Sequence, residues 1–176
     1  MKLVVLALLF VSVVHFTKAQ CDSNGDWTRK GNSCYKYIQE RLTWNAAYYK
    51  CKKIKISGSD SDAIPHLVAI TDQNENEFVY NLWRPSHFNP SNAVWIGAAR
   101  QGDGIYAHWA WPEDTPTWSY SNWEEPKVGG NCGHMGTEST PGPKWGVTEC
   151  NYLATYFICE YEKPNEFDEF YYYIGE

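Results

Sequence analysis

The sequence lacks the signatures of several familiar enzyme and metal centres. No two of its cysteines have the C-x₂₋₄-C spacing that tetrahedral zinc sites use. It contains no H-E-x-x-H segment and no G-x-S-x-G segment. His66, His87, His108 and His134 do not fall at the spacing of metal ligands. These absences argue against a zinc site and a serine hydrolase, and we do not expect an enzyme.

After its first residues the chain also lacks any long apolar run. The N-terminal segment "MKLVVLALLFVSVVHFTKAQ" has a lysine at its start, an apolar stretch from Leu3 to Val14, and a small-x-small cleavage site at Thr17-Lys18-Ala19. A membrane anchor is the alternative, but a bilayer span needs about 20 apolar residues. The pattern predicts a signal peptide over residues 1–19 and therefore a secreted, extracellular protein.

Positive charge is in short supply, since 15 lysines and arginines stand against 21 acidic residues, for a net charge of −6. Cleavage after Ala19 would remove two lysines and no acid, leaving 157 residues and a net charge of −8. That length suits one domain. An acidic chain argues against nucleic acid and against an anionic membrane as partners.

The cysteine count is even, and all six cysteines follow the predicted signal peptide. In a secreted chain this pattern predicts disulfide bonds. We expect Cys21 and Cys34 to hold an N-terminal hairpin onto the β-rich segment "SCYKYI". Six cysteines allow 15 pairings, so their number and spacing leave the full connectivity open.

Two helical segments precede a series of short strands. "LTWNAAYYKCKKI" predicts a helix capped by Thr43, and a second helix follows the capping-box pair Asp72 and Glu75 and ends at Arg84-Pro85. The remaining pattern is one of strands between turns: "AVWIGA", "YAHWAW", "CGHM", "KWGVT" and "YFICEY". Helices followed by strands predict an α+β domain.

The order of these motifs resembles the C-type lectin-like domain. "TWNAAYYKC", "WIGA", "WAWPEDTPTWSYSNW" and "KWGVTEC…YFICE" are similar to that family's first helix, central strand, long loop and closing strands. The resemblance implies two helices packed on small antiparallel sheets, with a long loop region and three disulfides. It implies the bonds Cys51–Cys159 and Cys132–Cys150, which leaves Cys21–Cys34. It also places the domain at 20–162, ahead of an acidic, tyrosine-rich C-terminal extension at 163–176.

The resemblance also identifies the ligand-binding loop, "NWEEPKVGGNC". Family members that bind sugars hold a calcium ion between oxygens on either side of a proline. Here Glu125 and Pro126 match that pattern, whereas Lys127 replaces an oxygen donor, and Asn131 stands near the place of a later acid. Gly146 and Val147 occupy the positions of an Asn-Asp pair. The sequence therefore predicts a degenerate calcium and sugar site, because calcium requires about 6–8 oxygen ligands.

A second calcium site of the family is structural. The resemblance maps it onto the Ala69 carbonyl and the side chains of Glu75 and Glu160. An alternative role for Glu75 is helix capping, and Glu160 could instead face solvent. We therefore predict no certain cofactor, with any calcium held at this structural site.

The tryptophans Trp95, Trp109, Trp111 and Trp123 are expected in the core. The family resemblance favours a recognition protein that binds a carbohydrate or a glycoprotein. The alternative is an extracellular matrix protein that adheres to mineral or polymer without calcium-dependent sugar binding. The partners expected are thus a glycan, an extracellular protein, or a mineral or matrix polymer.

Overall fold

The computed structural model describes residues 21–22, 24–58, 62–84, 93–112, 115–125, 129–136, 142–152 and 155–163. The predicted signal peptide and residues 164–176 of the predicted extension lie outside these ranges. Within the described ranges, no helix is long and apolar enough to cross a membrane.

Both predicted helices are present, and each begins at its predicted cap. Helix α1 spans Trp44–Lys52, and the Thr43 side chain accepts a hydrogen bond from the Ala46 N–H. Helix α2 spans Gln73–Trp83, and Asp72 accepts from the Glu75 N–H. Such caps satisfy backbone donors that have no partner within the helix.

Eight described strands form one mixed sheet. They are β1 (Thr28–Lys30), β2 (Ser33–Leu42), β3 (His66–Leu67), β4 (Val94–Gln101), β5 (His108–Ala110), β6 (Cys132–Met135), β7 (Trp145–Thr148) and β8 (Thr155–Glu162). The order is β1-β2-β8-β4-β6-β7, with β3 on β8 and β5 on β4. All strand pairs are antiparallel except β4 with β8. The predicted α+β class is confirmed, with this one parallel pair joining the two halves of the sheet.

The three disulfides are those that the family resemblance implied. Cys51–Cys159 joins α1 to β8, Cys132–Cys150 joins β6 to the turn after β7, and Cys21–Cys34 holds the N-terminus to β2. The first of these closes 108 residues, so it fixes the first helix to the last strand.

Tryptophans fill much of the core, and the indole N–H groups of Trp95 and Trp145 are hydrogen-bonded there, whereas those of Trp83 and Trp111 have no partner among the described residues. Trp95 is fully buried and donates from Nε1 to the Leu42 carbonyl at 2.9 Å. Trp145, also fully buried, donates to Oδ1 of Asn76 at 2.7 Å and so ties β7 to α2. Trp111 is buried as expected, while Trp109 and Trp123 are half-buried.

Candidate functional site

Strand β7 forms the centre of the predicted ligand-binding region. Trp123 makes a parallel bridge with Trp145, and the Glu124 N–H donates to the Trp145 carbonyl at 2.8 Å. On its other side β7 pairs with β6, with Thr148 opposite Cys132. The segment that precedes the loop therefore lies on one side of β7, and β6, which follows the loop, lies on the other side.

The two described loop residues lie on opposite sides of β7. Glu125, which follows the Trp123 bridge, is exposed. Asn131 is also exposed, and its carbonyl accepts a hydrogen bond from the Arg100 N–H at 2.8 Å. The other two predicted loop residues, Pro126 and Lys127, lie outside the described residues.

Gly130 holds one end of this loop directly against β7. A Cβ atom added to it would lie 1.9 Å from the carbonyl carbon of Thr148 and 2.5 Å from the nitrogen of Glu149. Only a residue without a side chain fits this contact. The close approach brings Asn131 to the edge of β7.

The facing positions on β7 offer few oxygen ligands. Gly146 pairs with His134 and has no side chain, and Val147 pairs with Gly133 and ends in methyl groups. Glu149 is an exposed carboxylate next to Thr148, at the edge where Asn131 lies. Our sequence reasoning passed over Glu149. The signal available was an acid directly before Cys150.

A layer of tryptophans supports the same region. The ring centroids of Trp109 and Trp123 are 4.5 Å apart, and those of Trp111 and Trp118 are 4.4 Å apart. Trp118 and Trp123 each meet the edge of the buried Trp145. Packed rings of this kind hold their position well, so the flanks of β7 rest on a rigid base. We call these five residues the tryptophan layer.

The predicted structural calcium site contains two carboxyl groups on the wall of one cavity. Glu75, on α2, is 6% exposed. Its Oε1 accepts from the Tyr35 hydroxyl at 2.6 Å, and its Oε2 accepts from the N–H and the hydroxyl of Thr71 at 2.7 and 2.8 Å. The carboxylate thus bonds Thr71 and Tyr35 rather than the Asp72 N–H that a reciprocal capping box would use.

Glu160, on β8, is even more deeply buried, with 2% of its surface exposed. Its Oε2 accepts from the Ala69 N–H at 2.9 Å. Burial and, secondly, the nearby charge of Glu75 raise the pKa of Glu160 to about 8. Burial and, secondly, the charges of Glu160 and Glu75 raise the pKa of Tyr35 well above its ordinary value. Negative charge at this place is therefore poorly compensated by the chain itself.

The cavity has a volume of about 290 Å³ and opens to solvent between β2 and α2. Its lining residues are Lys30, Gly31, Asn32, Ser33, Tyr35, Ala69, Thr71, Asp72, Glu75, Pro116, Glu160 and Glu162. Lys30 also lines the cavity, where its ammonium group donates to the Asn74 carbonyl.

Two carboxylates in a cavity open to water match the charge and the hard-oxygen chemistry of one calcium ion. They supply only part of a coordination shell. In the described part of the chain, no three His, Cys, Asp or Glu side chains come together as a metal centre. Carbonyl oxygens and water would have to complete the shell, and the Ala69 contact seen here is made through its N–H rather than its carbonyl.

The described histidines lie on different elements and have local partners. His66 is buried on β3 with Nδ1 against the Leu67 carbonyl, and His134 on β6 has Nδ1 against the Gly136 carbonyl. Burial lowers the pKa of both. His108 is exposed at the start of β5, and His87 lies outside the described residues.

Known proteins resemble this chain over most of its length. The family model described as the lectin C-type domain matches residues 40–161. Echinoidin of Heliocidaris crassispina is 30% identical over 139 residues, which cover 76% of this chain and 92% of that protein.

Solved structures share the fold. The C-type lectin CEL-I from Cucumaria echinata superposes with a TM-score of 0.68 at 21% identity, covering 83% of this chain and 100% of that one. Ovocleidin-17, a major protein of the eggshell calcified layer of Gallus gallus, superposes with a TM-score of 0.62 at 20% identity, covering 78% and 96%.

Proposed function

Because this chain belongs to the C-type lectin domain family, we propose that it is a secreted recognition protein that binds a glycan or a glycoprotein. We assign the contact surface to the flanks of β7, where Glu125, Asn131 and Glu149 are exposed above the tryptophan layer. The polar groups would accept and donate hydrogen bonds to sugar hydroxyls, while the rigid base would keep them in place.

The observation that carries this proposal is the chemistry of β7. Gly146 and Val147 offer no side-chain oxygen on the strand that both ends of the loop flank. An ion bridging the loop to this strand would find too few ligands, since calcium takes about 6–8 oxygens. Recognition at this surface is therefore independent of calcium.

A glycan array with the mature protein tests the proposal. The array is run once with millimolar calcium and once with a chelator. We expect specific binding under both conditions, reduced by Glu125→Gln and by Asn131→Ala, while Glu77→Gln on the exposed face of α2 serves as the matched control. Binding that disappears with the chelator and with Glu125→Gln would show that the β7 surface still uses calcium. The absence of any glycan binding would leave a protein ligand as the target.

Any calcium that the protein binds is assigned to Glu75 and Glu160. Its role there would be structural, because both groups are buried on the wall of one cavity, on α2 and β8. A ligand that binds only the folded state raises the melting temperature. Calcium should raise it in the parent protein and in Glu125→Gln, but not in Glu75→Gln.

A second candidate function follows from the distribution of acids and one structural relative. Residues 56–176 contain 18 of the 21 acidic residues. Ovocleidin-17 belongs to a calcified layer and shares the fold. Adhesion to mineral would make this chain a matrix protein, the alternative that we set against sugar recognition. Retention on calcium carbonate crystals, measured against a basic protein of equal size, separates the two roles.

A further inference from the structure

The net charge conceals a strongly basic segment. Eight of the 15 basic residues lie between Arg29 and Lys55, where Glu40 is the only acid. Within that segment the run "KCKKIK" places four lysines in six residues, at Lys50, Lys52, Lys53 and Lys55. Lysine-rich stretches of this length are typical of surfaces that bind polyanions.

We propose that Lys50, Lys52, Lys53 and Lys55 form a binding surface for a sulfated polysaccharide chain. We call these four residues the lysine cluster. The proposal concerns the C-terminal end of α1 and is independent of sugar recognition at β7.

The fold presents the cluster outward. The buried face of α1 is formed by Trp44, Ala47 and Cys51, which leaves the neighbouring positions on the outer face. Half of the Lys50 side chain is accessible, and Lys53 and Lys55 are exposed. Lys52 is half-buried, with its ammonium group 4.9 Å from the centroid of the Tyr48 ring.

The helix dipole explains the presence of lysine at only some of the positions in this cluster. Lysines in the last turn interact favourably with the negative end of the helix dipole, and Lys50 and Lys52 occupy that turn. Lys55 lies beyond the helix, where the dipole effect has faded. It follows the half-buried Ile54 and precedes the buried Ile56, so the backbone holds it pointing outward. The positive surface therefore extends past the helix end.

Acidic groups reduce the positive charge at one edge of the lysine cluster. Glu40 on β2 forms an ion pair with Lys50 at 3.0 Å, with about half of each side chain accessible. An exposed pair of this kind is worth only about 0–1 kcal/mol, so a polyanion can compete with Glu40 for Lys50. Asp60 and Asp62 are the next acids in the sequence, and Asp62 is exposed.

A sulfated polysaccharide fits this surface better than other polyanions. The four lysines lie within six consecutive residues, two in the last turn of α1 and two just after it, which suits a single flexible chain of repeated anions. The three disulfides indicate an oxidising extracellular setting, where such chains occur and intracellular nucleic acids do not. The acidic remainder of the molecule would repel an extended duplex or a broad anionic membrane.

The cluster is also separate from the β7 surface. The first residue of α1, Trp44, donates its N–H to the Cys150 carbonyl near the end of β7. The lysines begin at the far end of the helix, about 9–12 Å along its axis at 1.5 Å per residue. One polysaccharide and one glycan ligand could therefore bind at the same time.

Affinity for heparin at 0.15 M NaCl tests the proposal with the mature protein. We expect micromolar or tighter binding that weakens as salt is raised, because salt screens exposed charges. The variant Lys53→Gln/Lys55→Gln should raise the dissociation constant about tenfold or more, as expected for two lysines facing a polyanion. Glu40→Gln should lower it, since it removes the acid that competes for Lys50.

The matched control is Arg84→Gln/Arg100→Gln, which also removes two positive charges, from the exposed residue that follows α2 and from an exposed residue of β4. It should change the affinity by less than about twofold, and desulfated heparin should not bind. The proposal is overturned if both double variants lose affinity equally, or if the parent does not bind heparin at 0.15 M NaCl. It is also overturned if duplex DNA or phosphatidylserine vesicles bind more tightly than heparin.

Discussion

At the scale of single residues, the carboxyl groups of Glu75 and Glu160 carry the clearest chemical information. The family resemblance pointed to both positions, and the structure places both on one cavity wall. The partner that holds Glu75, Tyr35, lies 40 residues away in sequence and was not foreseen. No local pattern encodes that contact, because it arises only when β2, α2 and β8 pack together.

The raised pKa of Glu160 predicts a loss of stability as pH rises from about 4.5 to about 8. An unfolded glutamate has a pKa near 4.5, whereas burial and Glu75 raise the folded value to about 8. Between these values the folded state binds more protons than the unfolded state, so the free energy of unfolding falls as pH rises. In calcium-free buffer the melting temperature should drop by at least about 3 °C from pH 5 to pH 9.

The variant Glu160→Gln isolates this effect, because its amide cannot ionise. It should show a flatter profile over the same pH range, measured by thermal unfolding with a chelator present. Glu77→Gln is the matched control, since Glu77 is an exposed acid on α2 that does not line the cavity. The raised pKa would not belong to Glu160 if the melting temperature of the parent protein rose between pH 6 and pH 9. The same conclusion would follow if Glu160→Gln had the same dependence of melting temperature on pH as the parent.

At the scale of elements, local chemistry predicted the helices better than the strands. Thr43 and Asp72 are side-chain caps whose effect reaches only three residues, so the sequence locates both helix starts. Strand β4 was expected over "AVWIGA" but continues to Gln101, because β5 folds back to pair with it. Strand ends depend on such partners, which are distant in sequence or, as here, follow a turn.

The contact between Gly130 and β7 gives a prediction at this scale. Gly130→Ala would force a methyl group into the Thr148 carbonyl, so the loop end must move away from the strand. We expect a loss of about 2–4 kcal/mol in the free energy of unfolding, the range of severe overpacking. Urea unfolding measures it.

Gly104→Ala is the comparison, because Gly104 has a positive φ of 56° but open space around it. Its left-handed conformation should cost about 1–2 kcal/mol. The same variants should differ on the glycan array, where only Gly130→Ala disturbs the surface flanking β7. If Gly130→Ala and Gly104→Ala lost the same stability, the loop end at Gly130 would be free to move away from β7, and the close contact would not constrain it.

At the scale of the whole molecule, three connections give the domain its shape: the Cys51–Cys159 disulfide, the Cys132–Cys150 disulfide and the parallel pairing of β4 with β8. The family resemblance supplied both disulfides. The parallel pair could not be read from the sequence, because the continuous buried runs of β4 and β8 do not specify the direction of pairing, and most of their neighbours are antiparallel. It joins β8, which carries Glu160, to the half of the sheet that carries β7.

The two disulfides should contribute differently to stability and to recognition. In the chain-entropy model a bond stabilises by restricting the unfolded chain, and the effect grows with the length closed. Cys51–Cys159 closes 108 residues and Cys132–Cys150 closes 18. Replacing each pair by alanine should therefore cost about 4–5 kcal/mol for the first and about 3 kcal/mol for the second.

Glycan binding should follow the opposite order. Cys132–Cys150 holds β6 to the turn after β7, so its loss should disturb the surface around Asn131 even in molecules that remain folded. Cys51–Cys159 ties α1 to β8, and its loss should leave the affinity of the folded fraction nearly unchanged. Urea unfolding and array binding of the two double-alanine variants, both measured at 10 °C, compare these effects. If the short-loop variant kept full affinity while the long-loop variant lost it, the ligand surface would have to lie near α1 and β8, and our placement of it on β7 would be wrong.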